Sequence, residues 1–290
     1  MRFELDADQR DFATALDSLL SGADAVGAAR AWAGGDHGPG LKLWSRLADL
    51  GVTSLATDAT PVEVTIAFEA LGRHAVPGPW VESAAYLPVA LGQEVDGIAT
   101  VALPPHVPYA LDADVADHVY VGNAPADSVG ERIASVDPTR HLFSVTGEGE
   151  PSREAFDLAV LATAAQLLGA GERVLADSVA YVKQRKQFGR EIGSYQAIKH
   201  ALADVRIGLD FARPLVLGAA LGEVDVSAAK VAAGDAAYRA SRTGLQVHGA
   251  VGYTQELDLS LWLTKIRALV TAWGTPSFHR ARLLQQLGAG

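Results

Sequence analysis

Arg185-Lys186-Gln187-Phe188-Gly189-Arg190-Glu191-Ile192-Gly193-Ser194-Tyr195-Gln196-Ala197-Ile198 stands between two long helical patterns. Upstream, Phe156, Val160, Ala164, Leu167, Leu168, Gly171, Val174, Leu175, Val179 and Val182 advance in steps of three and four. That spacing is one apolar face of a helix of about seven turns. Downstream, Ile198, Leu202, Val205, Leu209, Ala212 and Val216 form a second such face. Long helices joined by a short connection pack antiparallel, as in a bundle. The connection itself offers a guanidinium, a phenyl ring, a glycine break and a returning amide. Arg185 suits bidentate pairing with a phosphate, and Phe188 can pack on a planar ring. Gln187 and Gln196 can donate to a diphosphate or to ring oxygens. Read without a ligand, Arg185 and Lys186 are cations that suit the end of a helix dipole, and Phe188 is a core plug.

A second cluster, Gln246-Val247-His248-Gly249-Ala250-Val251-Gly252-Tyr253-Thr254, has similar character. Gly249 closing a helix is one reading. Exposed backbone that a dinucleotide can approach, with Gln246 as the side-chain contact, is the other. His248 reads as a packed or loop histidine, since nothing near it in sequence completes a triad or a metal pair. Tyr253 and Glu256 can hold the loop or face a partner.

Working outward, the chain divides into three blocks. Residues 1–95 read as helices. Asp6 caps one that carries Phe12, Leu16, Leu19 and Leu20 and ends near Gly22, and Leu41 to Leu50 is another, closed by Gly51. Thr60-Pro61-Val62-Glu63 is a capping box that starts a helix through Val64, Phe68 and Leu71, stopped at Gly72. A turn at Pro77-Gly78-Pro79 precedes a short helix from Trp80 to Leu91. Residues 96–150 hold β-prone runs, Ala99 to Leu103, His118 to Val121, Arg132 to Val136 and His141 to Val145, which predict a small, mostly antiparallel sheet. Residues 151–290 return to helix, with further stripes at Ala228 to Val247, Leu259 to Val270 and Phe278 to Leu287. The fold class is mainly α: an N-terminal helical domain, a small reduced β domain and a C-terminal antiparallel bundle.

Composition narrows the functions. A chain of 290 residues that is 49% hydrophobic can bury a sizeable core. A formal charge of -10 argues against nucleic acid, which calls for clustered cations. There is no cysteine, hence no disulfide, thiolate nucleophile or Cys-based metal site. No metal-ligand spacing, P-loop, GxGxxG or GxSxG motif stands out. The stretch Met1-Arg2-Phe3-Glu4-Leu5-Asp6 does not read as a signal peptide. Without an uninterrupted apolar run of about 18 residues, no membrane span is expected, and a cytoplasmic protein is.

The Arg185 to Ile198 run resembles the flavin-binding signature of the acyl-CoA dehydrogenase family nearly residue for residue. The Gln246 to Thr254 run is similar to that family's second signature, with Ala250 where Gly is usual. Leu71-Gly72-Arg73 with Pro77-Gly78-Pro79 looks like its N-terminal helix and turn, and the order of the three blocks matches its domain order. The resemblance implies FAD as cofactor, contacted by Arg185, Gln187, Phe188, Ile192, Gln196, Gln246, Gly249 and Thr275. It implies α,β-dehydrogenation of an acyl-CoA thioester, in which a carboxylate removes the α proton.

Two departures qualify what is implied. Trp273-Gly274-Thr275 falls where the family carries Glu-Gly-Thr, and Trp cannot take a proton. The alternative helix position for that Glu corresponds to Ala159 or Val160, so no catalytic residue is assigned. The β block is also short, without the Thr-Glu-Pro and Ala-Gly-Ser-Asp segments that hold flavin and thioester. The resemblance therefore implies a non-catalytic subunit of a heterotetramer, with a larger acyl-CoA dehydrogenase subunit supplying the Glu and binding most of the substrate, as in degradation of steroid side chains or fatty acids. Two alternatives remain. One is a self-sufficient homo-oligomer with a relocated base, for which Asp157 and Glu154 are the nearest carboxylates. The other is a structural or interaction module that has lost flavin.

Overall fold

Asp6 begins the first helix as read: its carboxylate accepts from the Gln9 amide N–H while the Gln9 side chain accepts from Asp6 N, a reciprocal cap. The computed structural model describes residues 4–288; Met1, Arg2 and Phe3 of the N-terminal reading lie outside them, as does the Leu287 side chain of the last stripe. The first block holds α1 (Ala7–Ser21), α2 (Ala25–Ala33), α3 (Gly38–Asp49), α4 (Leu55–Asp58) and α5 (Pro61–Arg73). The Ala-rich α2, capped by Asp24, is missing from the sequence reading. The capping box of Thr60 and Glu63 starts α5 as read.

Gly72 corrects the reading, because α5 runs through it. It is a contact residue: a Cβ there would overlap the Gln166 backbone, and one on Gly169 would overlap the Glu69 carbonyl oxygen. The two glycines let two helices meet backbone to backbone. After Trp80 a π-helical turn, Glu82–Tyr86, leads into α6 (Leu87–Leu91).

The middle block contains β1 (Ala99–Ala102), β2 (Ala110–Leu111), β3 (His118–Val121), β4 (Ala124–Pro125), β5 (Ser128–Ile133) and β6 (Leu142–Thr146). It forms two three-stranded sheets, β1-β3-β4 and β2-β6-β5. The expectation of one mostly antiparallel sheet is corrected at β1 and β3, which run parallel with Ala99 opposite His118. All four β1 residues are buried, as suits a strand in a parallel pair. The short β2 and β4 were not foreseen, and β5 starts ahead of the run read at Arg132 to Val136.

The last block is α7 (Arg153–Gln184), β7 (Lys186–Gln187), β8 (Arg190–Glu191), α8 (Gln196–Ala220), α9 (Val226–His248), α10 (Leu259–Thr271) and α11 (Pro276–Gly288). At 32 residues α7 is longer than the seven turns read from its stripe. By length and composition it could cross a membrane, yet 83% of its most apolar window is buried in the protein. Its apolarity is spent on the core, where it packs against α5, α8, α9 and α10. Glu172 of α7 ties this seam together. Its carboxylate takes both Arg206 terminal nitrogens at 2.7 Å and Arg213 at 3.1 Å, and Arg213 also reaches Glu69 of α5 at 2.8 and 3.0 Å.

Candidate functional site

The connection after α7 is a β-hairpin, where the sequence suggested a helix end and a break. Lys186 pairs with Glu191 and Gln187 with Arg190. The two turn residues, Phe188 and Gly189, have φ of 52° and 79°. Both left-handed, they form the turn that matches strand twist. No heavy atom lies within 4 Å of where a Gly189 Cβ would sit, so the glycine serves backbone conformation alone.

Phe188 overturns the core-plug reading, with a side chain 92% exposed at the hairpin tip. A left-handed non-glycine residue costs roughly 1–2 kcal/mol, and a wet phenyl ring forgoes about 1.5–3 kcal/mol of burial. Neither cost is recovered within this chain. Arg185, beside it, is exposed and makes no ion pair among the described residues; Arg190 lies over the Tyr195 ring at 3.9 Å.

Opposite the hairpin, α9 ends at His248 and a 3₁₀ turn, Gly249–Tyr253, follows. Gly249 has φ 64° and ψ -141°, a conformation in which only glycine is comfortable. His248 is a packed histidine, as read: its Nδ1–H donates to the Gly244 carbonyl at 2.8 Å, and its ring stacks on Tyr181 at 4.3 Å.

The hairpin and this turn face each other across a cleft of about 940 Å³. Six of the residues read from sequence line it: Arg185, Gln187, Phe188, Ile192, Gln246 and Gly249. Tyr181 and Tyr195 line it too and were missed; Tyr181 lies one helical turn before Arg185, the one local signal that could have found it. Gln196 opens α8 as an exposed residue but is not among the lining residues. Thr275 lies apart, where its hydroxyl caps α11 by accepting from Phe278 N at 3.2 Å.

Trp273 occupies a different pocket, with Glu82, His106, Tyr109 and Arg140. It is buried, has φ 56° and packs on Tyr86 and Phe156 at 5.2 and 5.9 Å. The fully buried Glu82 carboxyl neighbours its indole, and Glu82 Oε2 and Trp273 Nε1 each lack a well-formed hydrogen bond among the described residues. Burial pushes the Glu82 pKa up, against the pull of Arg140. Ala159 and Val160 lie in the core of α7. Asp157 is gripped by Arg282 at 2.5 and 2.8 Å, a poor arrangement for a base, and Glu154 is exposed on the first turn of α7.

A model of the acyl-CoA dehydrogenase C-terminal domain matches residues 150–288. The acyl-CoA dehydrogenase IpdE2 of Mycobacterium tuberculosis is 31% identical over 285 residues, covering 88% of this chain and 89% of that one. The chain belongs to the acyl-CoA dehydrogenase family. The fold agrees with solved members. In the ChsE4-ChsE5 complex of Mycobacterium tuberculosis a chain superposes with a TM-score of 0.81 at 20% identity over 100% of both chains. A variant of the Tcur3481-Tcur3483 steroid ACAD gives 0.81 at 18% identity over 98% of each. Family and fold are thus those of acyl-CoA dehydrogenases, and both pockets lie within that frame.

Proposed function

We propose that the chain is the non-catalytic subunit of a cytoplasmic, heterotetrameric, FAD-dependent acyl-CoA dehydrogenase, organised as units 1–95, 96–150 and 151–290. The observation that carries this reading is Phe188, 92% exposed at the tip of a hairpin beside an Arg185 that makes no ion pair among the described residues. A cleft with its aromatic and its cation turned outward is half a site. The second half belongs to a larger subunit that encloses most of the flavin and of the acyl-CoA.

The residues of the cleft fit the group. Arg185 would pair with the diphosphate bidentately, Phe188 would pack on a ring, and Gln187 and Gln246 would donate to polar edges; Gln196, outside the lining at the start of α8, would have to reach in from the rim. Gly249 lets backbone come close. FAD, when bound, supplies the acceptor for the hydride leaving the β carbon. Trp273 takes no proton, so the carboxylate that removes the α proton comes from the partner. The likeness to a two-protein complex and to a steroid ACAD supports a partner subunit and an acyl-CoA from steroid side-chain or fatty-acid breakdown.

Absorbance in the flavin bands tests this. The chain expressed alone should be colourless, and co-expression with its partner should give a yellow complex that an acyl-CoA bleaches. Yellow, active protein from this chain alone would refute the reading.

Glu82 favours a second reading, a self-sufficient dehydrogenase with a relocated base. It is a buried carboxyl with a raised pKa beside the family's base position. In that case Glu82→Gln abolishes flavin reduction by acyl-CoA while leaving flavin content unchanged. If Glu82→Gln leaves reduction intact, this second reading fails.

A further inference from the structure

A different cluster lies where the first and middle blocks meet. His37 ends the turn between α2 and α3, Asp114 follows β2, and His141 precedes β6. Their side chains converge. His141 Nδ1 lies 3.1 Å from Asp114 Oδ2, His37 Nε2 lies 3.6 Å from that same oxygen, and the two nitrogens are 3.4 Å apart.

We propose that His37 Nε2, His141 Nδ1 and Asp114 Oδ2 form a binding site for a divalent transition-metal ion, Zn²⁺ above all, that clasps the N-terminal helices to the β domain. Four ligands at about 2.0–2.1 Å from Zn²⁺ in a tetrahedron stand about 3.3 Å from one another. The three observed separations bracket that edge. Hydrogen bonding accounts for the triangle less well. His37 Nε2, at 3.6 Å, is beyond hydrogen-bond reach of the carboxylate oxygen, and once His141 Nδ1–H is given to Asp114 no lone pair remains on that nitrogen to accept across the 3.4 Å contact with His37. A cation between them accepts all three lone pairs at once. The rings are inclined at 61°, as two ligands on separate loops can be without stacking. Two imidazoles and one carboxylate are a borderline donor set that suits Zn²⁺ and not Mg²⁺ or Ca²⁺.

The loops that bear these ligands are held in place. Asp112 N donates to the His141 carbonyl at 2.6 Å, and Asp112 Oδ1 accepts from His141 N at 2.9 Å and from Trp32 Nε1 at 3.2 Å. Trp32 in turn packs edge-on against His37 at 4.6 Å. Asp36 adds negative potential at His37 and Arg132 opposes it. His141 is fully buried, whereas Asp114 keeps 28% of its side chain exposed, which leaves a solvent-facing fourth position for water. Three protein ligands with an open fourth position are also the arrangement of hydrolytic zinc. His141 Nε2 has no partner among the described residues, and a missing outer-shell acceptor typically lowers affinity by 10–100-fold.

The test needs no flavin and so stands apart from the dehydrogenase reading. Chelator-stripped full-length chain is titrated with Zn²⁺ against a chromophoric competitor, and separately with Co²⁺ by visible absorbance. One ion per chain, the intense colour of four-coordinate Co²⁺ and a Zn²⁺-dependent rise in the unfolding midpoint are expected. His37→Ala and Asp114→Asn should each weaken binding by more than about 100-fold, since a lost ligand outweighs a lost outer-shell contact. Asp114→Asn keeps the side chain's shape, so it still reports if His37→Ala misfolds. Absence of saturable binding, or a loss of less than about tenfold in every folded variant, would overturn the site and leave a hydrogen-bonded cluster.

Discussion

The seam between α5 and α7 and the hairpin at Lys186–Glu191 treat their residues in opposite ways. In the seam, glycines remove every obstacle to backbone contact, and Glu69, Glu172, Arg206 and Arg213 spend their charges on one another. At the hairpin, a strained Phe and a free Arg face outward. Seam residues stabilise this chain. Hairpin residues cost it stability and make sense through something outside it.

Four measurements would sharpen or break that contrast. Gly169→Val should be the most damaging, because the new side chain meets the Glu69 carbonyl; a loss of about 3 kcal/mol or more is expected in chemical denaturation. Tolerance of this change would mean the seam is not close-packed.

The pH dependence comes next. Lys230 is buried, and desolvation lowers its pKa to about 7, while its Nζ donates to the carbonyls of Leu269 and Val270. The unfolded chain therefore binds more protons than the folded one between about pH 7 and the ordinary Lys value near 10.4, and stability rises with pH across that window, by at most about 1.4 kcal/mol per unit. The difference between wild type and Lys230→Met should carry this slope, and a flat difference contradicts it.

Glu172→Gln should cost about 1–3 kcal/mol by leaving Arg206 and Arg213 short of a partner. Although burial alone would raise it, the guanidinium bonds hold the Glu172 pKa below its ordinary value of 4.5. Its contribution is thus present above pH 4.5 and is lost as pH falls through the folded value. The penalty of the mutant should shrink accordingly in acid unfolding curves.

Phe188→Ala should have the smallest effect on the isolated chain, within about 0.5 kcal/mol, yet should weaken flavin retention in the assembled enzyme roughly tenfold, the loss of one aromatic contact. A chain that unfolds on this change would erase the distinction between the two regions.

Local chemistry was readable in the sequence, and long-range approach was not. The Asp6 cap, the Thr60 capping box, the stripes of α7 and α8 and the α/β/α order follow from spacing within a few residues. Gly72 reads as a stop because its reason to be inside a helix is Gln166, far along the chain. The parallel pairing of β1 with β3 is hidden for the same cause. The hairpin escaped because Phe-Gly is not among the usual tight-turn dipeptides and its strands have only two residues each. At the cleft, Arg185, Phe188 and Gln246 were legible as residue types suited to a dinucleotide, and Tyr181 was not. Glu82 needed the π-helical turn to be seen buried, and His37, Asp114 and His141 share no local spacing at all.

The left-handed pair at the hairpin tip has one more consequence. Because the backbone of Phe188 and Gly189 already sits in a two-residue hairpin turn, a partner that covered the tip would meet a backbone in its bound shape and would need to order only the phenyl ring. Docking of that kind would avoid much of the roughly 1–2 kcal/mol per residue of backbone entropy that ordering a slack loop demands. Calorimetry of that association should show the negative heat-capacity change of ring burial without a large entropic penalty.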